Sequence, residues 1–125
     1  HYDNAGSIAR QASELSQKQN HKEIFYKSEI LINKIMILAN TSPSGLNKHL
    51  QSMLDFISNI QDELYRALGF CEFTTLLYNV NFQHNFDREK YKQICLSLLN
   101  DLDETKKTME IKNKIQEIQC LFYSR

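Results

Sequence analysis

The sequence predicts an all-α fold: an up-and-down antiparallel helical bundle, with three main helices and a shorter N-terminal helical segment, hence three or four helices in all. Three observations carry this. The 125 residues include only three glycines and one proline, too few for the many turns of an all-β fold. Apolar residues recur at alternating spacings of four and three, the period of an amphipathic helix. The polar stretches between these patterns are short, which sets consecutive helices side by side as antiparallel neighbours. By length the chain is a single domain, 1–125, able to bury a core without staples.

The elements follow in order. Residues 1–6 are expected to fray. Ser7 suits the N-cap of a short segment from Ile8 to about Lys18, with Ile8, Ala12 and Leu15 on one side. After the polar stretch SQKQNHKE, Asn20 and Glu23 resemble a capping box. The helix that follows, IFYKSEILINKIMILAN, is the most apolar of the chain. Ile24, Ser28, Leu31, Ile35 and Leu38 form its main stripe, widened by Phe25, Ile32 and Met36. Tyr26, Ile30 and Ile37 form a second stripe, with Asn33 in its middle.

Ser42 and Pro43 suit the N-cap and first position of the next helix. From there Leu46, Leu50, Met53, Ile57, Ile60, Leu64, Ala67, Cys71, Thr74 and Tyr78 keep one phase. The pattern predicts one helix over 43–82, roughly 60 Å long, running through Gly69. The competing reading ends a helix at Leu68, with Gly69 as the residue after the cap. Beyond Gly69 a second stripe appears: Phe70, Phe73, Leu77 and Val80.

Asp87 is a good N-cap, with Glu89 in the first turn and Phe86 and Tyr91 at hydrophobic-staple positions. Tyr91, Ile94, Cys95, Leu98, Leu99 and Leu102 give that last long helix its apolar side. Asp103–Lys107 and Glu110–Lys114 are acid-first i,i+4 pairs expected on a solvated helix surface. A shifted stripe then follows: Ile111, Ile115, Ile118 and Phe122.

Composition excludes some function classes and leaves others without an anchor. Fifteen Lys and Arg balance fifteen Asp and Glu, so no global field draws the chain to nucleic acid or anionic membranes. No apolar run reaches the roughly 20 residues of a membrane span, and no signal segment is read. Starting at His1 rather than Met, the sequence reads as a fragment or a processed product. Cys71, Cys95 and Cys120 are widely spaced and read as small buried hydrophobes in a reducing, cytoplasmic setting.

The histidines at 1, 21, 49 and 84 fall in no metal-ligand spacing, and His84 reads as a turn residue beside Asp87. Asp62 and Glu63 read as a solvated edge, and Glu72 as partly covered. No P-loop, dinucleotide loop or Ser-His-Asp context is present. The expectation is a protein without catalytic residues, cofactor or metal.

Ala67-Leu68-Gly69 and EFTTLL at 72–77 are similar to the Ala-x-Gly-Ser and Glu-Leu-x-Thr-x-Leu segments of one family of four-helix bundles. Those include ribosomal intervening-sequence proteins and accessory proteins of diversity-generating reverse transcriptases. The likeness covers residues 67–77, with Phe70 where the family has serine and one residue deleted. It implies association with RNA or a reverse transcriptase. Charge placement, read separately, offers Lys27, Lys34, Lys106, Lys107, Lys112 and Lys114 as the candidate phosphate contacts for a nucleic-acid role.

The leading expectation is different. The stripes Tyr26/Ile30/Ile37, Phe70/Phe73/Leu77/Val80 and Ile111/Ile115/Ile118/Phe122 exceed what a small bundle needs. Surplus apolar stripes are interfaces, so the chain is expected to be a non-catalytic module that contacts another protein or a second copy of itself, as an adaptor or scaffold.

Overall fold

The computed structural model describes residues 2–18, 21–39, 42–79 and 84–123, with the backbone alone at 2, 3, 16–18 and 121–123. Most of these residues are helical and none lies in a strand. The helices are α1 (Tyr2–Lys18), α2 (Lys22–Ala39), α3 (Pro43–Ser58), α4 (Glu63–Asn79), α5 (Arg88–Asn100) and α6 (Met109–Tyr123). A 3-10 turn, Glu104–Lys106, lies between the last two. Where length alone suggests one domain, the chain gathers into two compact units. One is His1–Phe56 with Phe82–His84, the other Ile57–Asn81 with Asn85–Arg125.

In the first unit, α1 packs along α2. Ser13 bonds the Glu29 carboxylate, and a Cβ placed at Gly6 would stand 3.9 Å from Ile35. Numbers rise along one helix as they fall along the other, so α1 and α2 form an antiparallel hairpin. Its seam on α1 is small: among the described side chains Gly6, Ala9 and Ser13 are buried, spaced three and four apart on one face. Small side chains let the two backbones approach closely. On another side of α2, Phe25 and Tyr26 meet Phe56 of α3, with ring centroids 6.2 and 6.4 Å apart.

The second unit is built around α4. Cys71 touches Cys95, Thr74 Oγ1 donates to the Tyr91 carbonyl at 3.3 Å, and Arg88 Nε donates to the Leu77 carbonyl at 2.8 Å. The descending order makes α4 and α5 antiparallel. Glu63 pairs with Lys106 and Glu72 with Lys114, an ascending order, so α6 runs back alongside α4. Phe73, Phe86 and Tyr91 close one end, with Phe73 5.6 Å from Phe86 and 5.2 Å from Tyr91, both edge-on, the preferred aromatic geometry.

Several local expectations are met for the stated reasons. The Ser42 hydroxyl accepts from Gly45 N at 3.2 Å and α3 begins at Pro43. Asp87 caps α5 by accepting from Lys90 N, and the Phe86–Tyr91 staple forms with centroids 6.0 Å apart. Asn33, the polar residue in an apolar stripe, donates to the Glu29 carbonyl of its own helix at 2.9 Å.

Other expectations are corrected. Helix α1 begins at Tyr2 rather than after Ser7. The Asn20 half of the expected capping box lies outside the described residues. No single helix spans 43–82. Helix α4 does run through Gly69, which is buried, but the chain breaks earlier, between Ser58 and Glu63. Asp62 caps α4, its Oδ1 accepting from Leu64 N and Tyr65 N at 3.0 and 3.2 Å. Arg66 reaches back to the Ile60 carbonyl at 3.1 Å and satisfies a group that the broken ladder leaves open.

The last long helix is also two. Helix α5 stops at Asn100, and Lys107 Nζ donates to the Asn100 carbonyl at 3.1 Å. With residues 101–108 outside any α-helix, Asp103 and Lys107 lose their i,i+4 geometry, and Lys107 pairs with Glu104 at 3.3 Å. Lys114 turns to Glu72 and Glu117, each at 3.5 Å, rather than to Glu110.

Candidate interaction surface

The stripes expected to be surplus are largely consumed inside the chain. Ile30, Ile37, Phe70, Phe73, Leu77, Ile111 and Ile118 are buried. Tyr26 and Ile115 are half-buried. Val80 and the side chain of Phe122 lie outside the described residues. As placed, none of the buried seven offers a free docking surface.

The surplus is elsewhere, on residues that periodicity assigned to the core. Ile8, Leu15, Ile24, Leu31 and Leu38 are between 44 and 68 % exposed. Ile8 and Leu15 are seven apart on α1; Ile24, Leu31 and Leu38 are seven apart on α2. Each set therefore forms a row along its helix. On α2 the row points away from Phe25 and Tyr26, hence away from Phe56. On α1 the row is turned well away from the Gly6, Ala9 and Ser13 seam.

The antiparallel register, with Ser13 opposite Glu29, brings Ile8 within a turn of the level of Leu31, and Leu15 within a turn of Ile24. Both rows open on the same side of the hairpin. Together they make an apolar ribbon two helices wide. A narrow heptad row on each of two helices, flanking a seam of Gly, Ala and Ser, was the available sequence signal.

Four of the six candidate lysines are engaged by acids. Lys27 pairs with Glu23 at 2.9 Å and Lys106 with Glu63 at 3.9 Å. Lys107 pairs with Glu104, and Lys114 with both Glu72 and Glu117. Lys34 is half-buried and Lys112 exposed. Burial alone would depress the Lys114 ammonium, but the Glu72 and Glu117 carboxylates outweigh it and raise the group above its ordinary value. The six lysines are thus divided between the two units and interleaved with acids.

No group of three or more His, Cys, Asp or Glu side chains among the described residues is placed to hold a metal ion. No helix among them is long and apolar enough to cross a membrane. The chain matches no family model, no curated protein and no solved structure.

Proposed function

We propose that the protein is a non-catalytic module of up-and-down helices that self-associates, docking the α1/α2 ribbon of one copy on the same ribbon of a second. The observation that carries this reading is the exposed row Ile24, Leu31, Leu38 beside Ile8 and Leu15. A hairpin covered on one side only is half of a four-helix bundle, and an isologous pairing completes it.

A second copy fits with the two-fold axis along the hairpin, where α1 of one copy lies antiparallel over α2 of the other, row against row. An arrangement with α2 against α2 would instead bring Lys27 and Lys34 towards their own copies, which like charges disfavour.

The RNA-associated reading has less support. Lysines already paired with neighbouring carboxylates have less free charge to offer phosphates.

The test is a variant with Ile24→Lys and Leu31→Lys. Both positions are exposed, so helicity by circular dichroism should be unchanged while the dimer is lost. A variant that unfolds would identify these residues as core; one that remains dimeric would place the interface elsewhere.

A further inference from the structure

We propose that Cys71 and Cys95 are a modification site, a reversible disulfide that staples α4 to α5. Their sulfurs lie 3.2 Å apart and both side chains are buried. Carbon atoms in van der Waals contact sit at about 3.5–4.0 Å, and a disulfide bond is about 2.05 Å. The thiols are therefore closer than apolar packing alone requires, and a shift on the order of 1 Å would join them.

Helix packing holds them there. One turn along α4, Thr74 bonds the Tyr91 carbonyl, and a turn further Arg88 bonds the Leu77 carbonyl. Both partners stand on regular helix within one compact unit, so neither thiol depends on a loop for its position.

The oxidant is a low-molecular-mass disulfide of the glutathione class. The Cys95 thiolate attacks one of its sulfurs, forms a mixed disulfide and releases one thiolate. Cys71, deprotonated in turn, attacks the Cys95 sulfur and releases the second. Two electrons and two protons leave the protein pair, and the oxidant departs as two thiols. The hydrogen bond to Cys95 and burial hold the Cys71 thiol well above its usual range. The closed unit therefore resists attack, and exchange proceeds when α4 and α5 open locally. Oxidation is accordingly slow in buffer and faster in mild denaturant.

The experiment equilibrates the full chain with mixtures of reduced and oxidised glutathione, alkylates the remaining thiols under denaturing conditions and maps the tryptic peptides. Trypsin places Cys71 in residues 67–88, Cys95 in 93–106 and Cys120 in 115–125. The expected product is peptide 67–88 joined to 93–106, reversed by dithiothreitol. The oxidised chain should melt higher than the reduced one by roughly 5–15 °C. Alkylation of both Cys71 and Cys95 at every glutathione ratio would overturn the proposal. So would glutathione adducts that never resolve into the crosslink, bonds joining Cys120 to either buried cysteine, or a crosslink that lowers the melting temperature. The native chain is used throughout, so the result does not depend on whether a cysteine variant folds.

Discussion

Gly6 and Lys114 show how single residues carry testable energetics. Gly6 sits inside α1, on the seam with α2, and an added Cβ would stand 3.9 Å from both Ile35 and Arg10, an ordinary contact distance. Alanine therefore fits. Gly6→Ala should stabilise the protein by about 0.5–1 kcal/mol, since alanine has the better helix propensity and the less mobile unfolded chain; urea unfolding measures it. A loss of stability would mean that the seam is tighter than described.

Lys114 makes a pH-dependent prediction. Its ammonium is raised above its ordinary value by Glu72 and Glu117 against the opposing effect of burial. The folded state thus holds this proton more tightly than the unfolded chain, where lysine titrates near about 10.4. The contribution is complete below that pH and fades as pH rises through the higher folded value. Lys114→Met should be destabilised relative to the parent at pH 7, with the gap narrowing above about pH 10.5. Denaturant unfolding at the two pH values checks it. A gap that is constant or grows with pH would contradict the assignment.

At the scale of elements, the chain punctuates its helices with caps, and some caps are easier to read than others. Ser42-Pro43 and Asp87 with its Phe86–Tyr91 staple were legible because a cap residue coincides with a change of hydrophobic phase. The break before α4 was not legible, because Ile57, Ile60, Leu64 and Ala67 keep one phase across it. Ile60 remains buried in the connector, so a pattern of apolar spacing cannot register that the backbone has left the helix. The local signals are Ser58, Asn59 and Asp62, turn and cap residues that are equally at home on a helix surface.

Asp62→Ala should accordingly cost about 0.5–2 kcal/mol, the usual range for losing an N-cap. A neutral effect, measured by denaturant unfolding, would favour a continuous helix. The break after Asn100 has a related origin. Acid-first i,i+4 pairs at 103–107 and 110–114 imitate a helical surface, whereas Lys107 bonds the Asn100 carbonyl and Lys114 reaches across to Glu72 on α4.

For the whole molecule, the all-helical class was legible from scarce glycine and proline and from helical periodicity. Which apolar stripe faces inward was not. On α2 the stripe taken as primary contains Ser28 and Ile35, which are buried, and Ile24, Leu31 and Leu38, which are exposed. The stripe taken as surplus contains Ile30 and Ile37, which are buried. A single sequence ranks stripes by regularity and width, while packing ranks them by where neighbouring helices lie. The small seam of Gly6, Ala9 and Ser13 rotates α1 so that its larger residues, Ile8 and Leu15, turn outward. This inversion separates two sets of variants. Ile37→Lys buries an unpaired charge and should unfold the protein, whereas charges at Ile24 and Leu31 should leave it folded.

The central claim, that the outward rows are an assembly surface for a second copy, is tested most directly by the solution mass of the unmodified chain. Size-exclusion chromatography with light scattering, run over a range of concentrations, should give a concentration-dependent mass rising to twice the 14.7 kDa of the chain. A mass that stays at that of one chain at the highest concentration would contradict self-association through the α1/α2 ribbon.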